Sequence, residues 1–310
     1  MKICGLDIRV AGRIVRMARL SDEGYDFLRE PEAVVDGLRR SPTRVDLFTF
    51  IQTLAELSPK YHYPIERDNL AVLPVSTFDH WWTHQIRSLA RNRAKQAEKK
   101  GLTIREIPFD GRLVKGIREV YNESPVRQGK LNVHYGKSVE QVHREAATFL
   151  DRSVFIGAFL GEQLIGFAKV TWDETRTQAE LMNIVSMIRH RDKAPSNALV
   201  AHAVRACADR RISFLVYQSF SWGNKKQDGL SDFKANNGFH PVDIPRYYVP
   251  LTSVGHAAFR LGLHHRFADR IPEIVAARLR RLRSAWYNRL VPSETDVQPS
   301  PLDLDLHQLR

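Results

Sequence analysis

Residues Ser153 to Ala208 constrain the fold more than any other stretch. Ser153-Val-Phe-Ile-Gly-Ala-Phe-Leu160 is rich in aromatic and β-branched side chains. Gly161-Glu162 forms a turn and Gln163-Leu-Ile-Gly-Phe-Ala-Lys-Val170 runs back, so the pair predicts a β-hairpin. A polar turn, Asp173-Glu-Thr-Arg-Thr177, leads to Ala179-Glu-Leu-Met-Asn-Ile-Val-Ser-Met-Ile188. That run suits a strand by length, and Arg189-His-Arg-Asp-Lys193 breaks it before a helical pattern begins at Pro195. Proline fits the first helical position, where its missing N–H forfeits no bond. Leu199, Val200, Ala203, Val204 and Cys207 then share one face, which lets the helix lie on the sheet. The strand–helix junction combines unpaired N–H groups, a partial positive charge and the cations Arg189, Arg191 and Lys193. Such a junction suits phosphate.

Charge narrows the class of partner. A formal net charge of +12 over 310 residues favours polyanions: a phosphorylated cofactor, RNA or an anionic membrane. The two cysteines, Cys4 and Cys207, have neither disulfide-framework nor metal-ligand spacing, so a reducing compartment and no metal are expected. No apolar run is long enough to cross a bilayer, and Asp7 and Arg9 stand where a secretory leader needs an apolar block. The expected location is the cytoplasm, with peripheral contact to the inner face of the membrane as an option.

Along the chain, residues 1–77 read as a small α+β region. Ile14 to Leu20 suits a strand, Pro31 to Arg39 a short helix, and Val45 to Leu57 a helix with Leu47, Phe48, Phe50, Ile51 and Leu54 on one face. Tyr61-His-Tyr63 and Leu70 to Val75 read as extended. Phe78 to Gly101 predicts one helix stopped by the glycine, with Trp81, Trp82, Ile86, Leu89, Ala90 and Ala97 buried. Arg87, Arg91, Arg93, Lys95, Lys99 and Lys100 would form its cationic face, suited either to plain solvation or to nucleic-acid phosphates. Leu102 to Ile107 alternates as a strand, and Asp110 to Tyr121 follows as a helix.

The polar segment Asn122 to Gly136 reads as a long loop, and loops of that length inside a compact domain are frequently functional. Glu123 and His134 are candidate bases. Asn122, Arg127 and Tyr135 are candidate substrate contacts, with Tyr217 and Tyr247 on later strands. Glu123 and Arg127 equally suit pairing with each other. Val139 to Leu150 is helical. After the central helix come a strand at Arg211 to Tyr217, a loop, a short helix from Leu230 to Asn236, and an extended return through Val242 to Leu251. Residues 253–291 read as a basic helical tail with Arg278, Arg280, Arg281 and Arg283 clustered, suited to an anionic membrane or to packing on the body. Residues 292–310 read as disordered. The fold class is therefore α+β: a mixed, mostly antiparallel sheet flanked by helices.

This element order resembles the GNAT acyltransferase superfamily over about Phe78 to Leu251. In that family a Gln/Arg-x-x-Gly-x-Gly/Ala loop wraps the acyl-CoA pyrophosphate. The corresponding residues here are Arg191-Asp-Lys-Ala194-Pro-Ser196, with small residues for the glycines. The resemblance implies that Ile188, Arg189, Arg191, Lys193, Ala194, Ser196 and Asn197 meet the donor, with acyl-CoA (acetyl-CoA) as cofactor. Phe233-Lys-Ala-Asn-Asn-Gly-Phe239 stands where the family often carries Phe-Tyr-x-x-x-Gly-Phe, which places Lys234 at the catalytic position. Both departures resemble the FemAB-like branch, which lacks the glycine-rich loop, carries Phe-Lys and uses aminoacyl-tRNA. The resemblance implies a GNAT-like domain at 78–252 and transfer of an acyl group to an amine-bearing acceptor. Lys234 would stabilise the oxyanion or a donor phosphate, with acyl-CoA as donor or aminoacyl-tRNA as the alternative. A non-catalytic RNA- or membrane-binding protein on the same fold is the further alternative.

Overall fold

The computed structural model describes residues 1–265 apart from 22, 24–26, 29, 128 and 222–228, together with 282, 283 and 286. In chain order the N-terminal elements are β1 (Lys2–Ile3), β2 (Leu6–Ala11), β3 (Met17–Leu20), α1 (Pro31–Arg40), β4 (Leu47–Ile51) and β5 (Ile65–Pro74). Next come α2 (Phe78–His80), α3 (Ser88–Lys99), β6 (Leu102–Ile107), α4 (Gly111–Asn122), β7 (Val126–Arg127), β8 (Lys130–Leu131) and α5 (Val139–Ala146). The last are β9 (Ser153–Leu160), β10 (Gln163–Trp172), β11 (Gln178–Ser186), α6 (Pro195–Asp209), β12 (Phe214–Ser219), α7 (Gly229–Asn236), β13 (His240–Pro250) and α8 (Ser253–Arg260).

Eleven strands form one sheet in the order β1-β2-β3-β4-β13-β5-β12-β11-β10-β9-β6. Pairing is antiparallel except between β3 and β4 and between β11 and β12. The expected hairpin is β9–β10, closed at Leu160↔Gln163. Strand β10 is buried from Leu164 to Thr171 without alternation, which requires cover on both faces. Helices α4 and α5 supply one cover: Tyr121 meets the Phe167 ring edge-on at 5.6 Å, and the Lys169 ammonium donates to Ala146 O. Helix α6 supplies the other, with Leu199, Val200, Ala203, Val204 and Cys207 all buried. Gly166 faces Ser186 across β10 and β11, where a Cβ would lie 2.9 Å from Ser186 Cβ. The bare backbone lets the two strands close at that point.

Two expectations fail. Val45 to Leu57 forms no helix. Leu47 to Ile51 is strand β4, held between β3 and β13 with every residue buried. Burial of both faces erases the period of two, and the apolar residues then imitate a helical face. Phe78 to Gly101 is not one helix either. After α2 the chain makes a π-turn at Trp81–Gln85, becomes extended at Ile86 and Arg87, and resumes as α3. Long-range bonds cause the break: Trp81 Nε1 donates to Asn237 O at 3.0 Å and Arg87 N–H to Asn236 O at 2.9 Å. Leu89 is consequently exposed, and Ala90, Ala94 and Ala97 form the seam facing α6. Gly101, at φ +81°, ends α3 as expected.

The segment Asn122 to Gly136 includes the small β7–β8 pair. Residues 222–228 and the basic tail beyond His265 other than 282, 283 and 286, so including Arg278, Arg280 and Arg281, lie outside the described residues, as do residues 292–310. No described helix is long and apolar enough to cross a membrane.

Candidate active site

Strands β11 and β12 pair only at Gln178↔Phe214, Ala179↔Leu215 and Glu180↔Val216, then diverge. Both are irregular there. Opposite β10, Leu181 pairs with Val170 and Asn183 with Lys169, so Met182 is bulged. In β12, Gln218 has φ +49°, and the register with β5 shifts between Val216 and Ser219. Among the described residues, the divergence leaves the edge of β11 from Leu181 to Ser186 without a strand partner on the β12 side. Such an edge offers backbone groups to a ligand.

Lys234 closes the β12 side of this opening. Its side chain is fully buried on α7, its ammonium donates to Ser219 O at 2.6 Å, and it lies 4.6 Å from the centre of the Tyr217 ring. Cation–π attraction of this kind is favourable where water is excluded. Burial pushes the Tyr217 phenol up to about 12, so it stays protonated at neutral pH. Sequence reasoning missed Asn237, the neighbour that fixes this corner. Fully buried, it accepts from Trp81 at its carbonyl, donates Nδ2 to Phe233 O at 2.8 Å, and receives Asn197 Nδ2 at 3.4 Å. The only signal for it was the Asn237-Gly238 pair, with Gly238 at φ +90°. Asn197 and Lys234 are thus brought together through one buried amide.

The Ile188–Arg189 end of the expected phosphate junction is already occupied by protein charge. The N–H groups of Ile188 and Arg189 donate to Glu123 at 2.6 Å (Oε2) and 2.8 Å (Oε1). Arg127 Nη2 donates to Glu123 Oε2 at 3.2 Å and to Val120 O at 3.0 Å, while Nη1 donates to Ser186 O at 2.8 Å. Glu123 therefore acts as a fixed anion with three donors, and Arg127 clamps α4 to the end of β11. Burial lowers the Arg127 pKa and the Glu123 carboxylate opposes that shift. Ser196 Oγ lies 3.1 Å from Ser186 Oγ. Ala194, left-handed at φ +54°, accepts at its carbonyl from the N–H groups of Asn197 and Ala198. Arg189 and Arg191 are exposed, whereas Lys193 and Lys100 both pair with Asp192, at 3.5 and 3.4 Å.

The remaining candidates separate. His134 stacks on Tyr121 at 4.2 Å, with Nδ1 3.1 Å from Lys137 Nζ. Burial, reinforced by Lys137, lowers its pKa and favours neutral imidazole. His134 stands with α4, whereas α7 and Lys234 pack with α3 beside α6. Asn122 Oδ1 accepts from Gly136 N–H at 2.7 Å and shapes the loop, and Tyr135 is exposed. Tyr247 lies apart from the opening. It is fully buried in the core around Phe48, Phe50 and Val249, where its hydroxyl donates to Gln52 Oε1 at 2.6 Å.

A cationic surface adjoins the site. Arg87, Arg93, Lys95, Lys99 and Lys100 are exposed on and beside α3, with Lys95 Nζ 5.9 Å from the centre of the Trp82 ring. Arg205 of α6 covers the Phe78 ring at 3.7 Å.

Neither a protein-family model nor a curated protein sequence matches the chain. Solved structures do match in shape. FemX covers 82% of this chain and 84% of its own at 11% identity, with TM-score 0.57. The structure of L-PGS from Bacillus licheniformis covers 89% and 85% at 14% identity, with TM-score 0.55. The C-terminal domain (DUF2156) of a putative lysylphosphatidylglycerol synthetase from Agrobacterium fabrum covers 83% and 84% at 13% identity, with TM-score 0.52. The mixed sheet and this likeness together show that the chain shares the fold of FemX.

Proposed function

We propose that this protein is an aminoacyltransferase that moves an aminoacyl group from aminoacyl-tRNA to an amine-bearing acceptor, with bond formation in the β11/β12 opening. The carrying observation is the Glu123 carboxylate on the N–H groups of Ile188 and Arg189. An acyl-CoA pyrophosphate reaching the Ile188 and Arg189 amides would have to displace a carboxylate already held by them and by an arginine, and Pro195 removes a donor from the loop that follows. A tRNA-borne ester needs no phosphate at that junction, and the surface of α3 offers its phosphates a cationic track. The likeness to FemX and to L-PGS supports the same choice.

The acceptor nitrogen attacks the ester carbonyl, an amide C–N bond forms, the ester C–O bond breaks, and one amine proton ends on the departing hydroxyl. Developing charge on the carbonyl oxygen requires a donor, the role assigned to the Lys234 ammonium, which is buried beside the end of β12. Neutral His134, on the α4 side, is the group suited to accept the amine proton, through water. Glu123, already saturated, is a positioning residue.

Exposed Arg189 and Arg191 favour a second reading with acyl-CoA as donor. A thermal-shift comparison separates the two. Charged tRNA is expected to raise the unfolding midpoint while acetyl-CoA at saturating concentration leaves it unmoved. The reverse response would replace the first reading with the second.

A further inference from the structure

The segment following α8, a helix packed on β13, reaches Glu66 of β5. There His264 Nε2 and His265 Nε2 lie 2.9 and 3.1 Å from a single oxygen, Oε1 of Glu66. Ligand-type atoms of the three residues all fall within 4.8 Å of one another. The surroundings select for positive charge. Glu66 faces Arg246 in register, and that guanidinium is already held by Glu23 (2.9 and 3.1 Å) and Asp68 (2.8 Å). Glu23, Asp68 and Glu66 against Arg246 leave a local surplus of two negative charges in a chain of net charge +12.

We propose that Glu66, His264 and His265 bind a divalent transition-metal ion of the zinc class. Two imidazoles and a carboxylate are the borderline N/O donor set such ions take. The geometry is close. Donors around a tetrahedral ion with bonds of about 2.0–2.1 Å stand about 3.3–3.4 Å apart, so the two His–Glu66 distances must each open by a few tenths of an ångström. His264 is rigid: its side chain is 2% exposed, and the rings of Tyr248 and Phe259 lie 4.7 and 5.0 Å away. His265 is 44% exposed, so it can swing outward, and water can reach the fourth position. The ion would staple the chain after α8 onto β5, and its binding does not depend on the transferase reading.

The test uses the full chain stripped with a chelator, then titrated with Zn2+ by calorimetry and with Co2+ by visible absorption. The parent, Glu66→Gln and His265→Ala are compared, the last altering a half-exposed side chain that the fold tolerates. One saturable equivalent is expected in the parent, with a raised unfolding midpoint and a Co2+ spectrum of nitrogen ligation. Affinity should fall at least about tenfold in either variant, since loss of even an outer-shell partner costs about 10–100-fold. No saturable binding in the parent, or equal affinity in the parent and both variants, overturns the proposal.

Discussion

Removing the Glu123 carboxylate strips the Ile188 and Arg189 amides of their acceptor and leaves the half-buried Arg127 beside an empty anion site. Glu123→Ala is expected to lose about 3 kcal/mol in urea unfolding, the order found when one partner of a buried pair is deleted. Inorganic phosphate should then raise the unfolding midpoint of the variant and leave the parent unchanged. Equal phosphate responses would mean that the amides are not the anion site. Lys169 behaves differently. It is 1% exposed, its ammonium donates to Ala146 O, Thr148 O and Thr148 Oγ1 at the end of α5, and burial lowers its pKa from 10.5 to about 8. Below pH 8 the folded and unfolded forms both hold the proton, and the burial penalty is fully felt. Between about 8 and 10.5 the folded protein releases the proton while the unfolded chain keeps it, so stability rises with pH across that window. Denaturation measured against Lys169→Met should show this gain for the parent, and parallel pH profiles would contradict it. Lys234 and the Glu123–Arg127 pair were legible because their spacing or motif is local. The engagement of Glu123 with Ile188, 65 residues away, was not.

At the scale of elements, α3 carries its basic residues outward because Ala90, Ala94 and Ala97 take the inner seam. Each phosphate neutralised by such a residue adds about 0.7–0.9 to the slope of log affinity against log salt. Replacing Arg93, Lys95 and Lys99 together by alanine is therefore expected to flatten the salt dependence of tRNA binding by about 2 to 3 units, read by filter binding. An unchanged slope would leave α3 as a solvated face. The hairpin β9–β10 and helix α6 could be read from the sequence because turn chemistry and a one-sided apolar stripe are local signals. Strand β4 and the break before α3 could not. The first is buried on both faces by distant strands, and the second is set by Asn236 and Asn237, some 150 residues downstream.

For the whole molecule, the sheet does not stop at residue 77. Strand β5 lies between β12 and β13, pairing with both, and β4 pairs with β13. A fragment beginning at residue 78 would expose the edges of β12 and β13, and no cooperative unfolding transition is expected from it by calorimetry. A sharp transition would show that the later part folds alone. The same continuity places the β11/β12 opening at mid-sheet, with Lys234 approaching from the α6 side and His134 standing on the α4 side. Donor and acceptor would thus enter from opposite faces. The central claim is transfer in that opening with Lys234 as the donor to the developing oxyanion. The measurement that meets it most directly is single-turnover transfer of a labelled amino acid from aminoacyl-tRNA to a primary-amine acceptor, for the parent and for Lys234→Met. Amide product is expected from the parent and a loss of about 100-fold or more in the variant, with its unfolding midpoint close to the parent's. Equal rates in the two proteins, or product from acetyl-CoA and none from aminoacyl-tRNA, would contradict it.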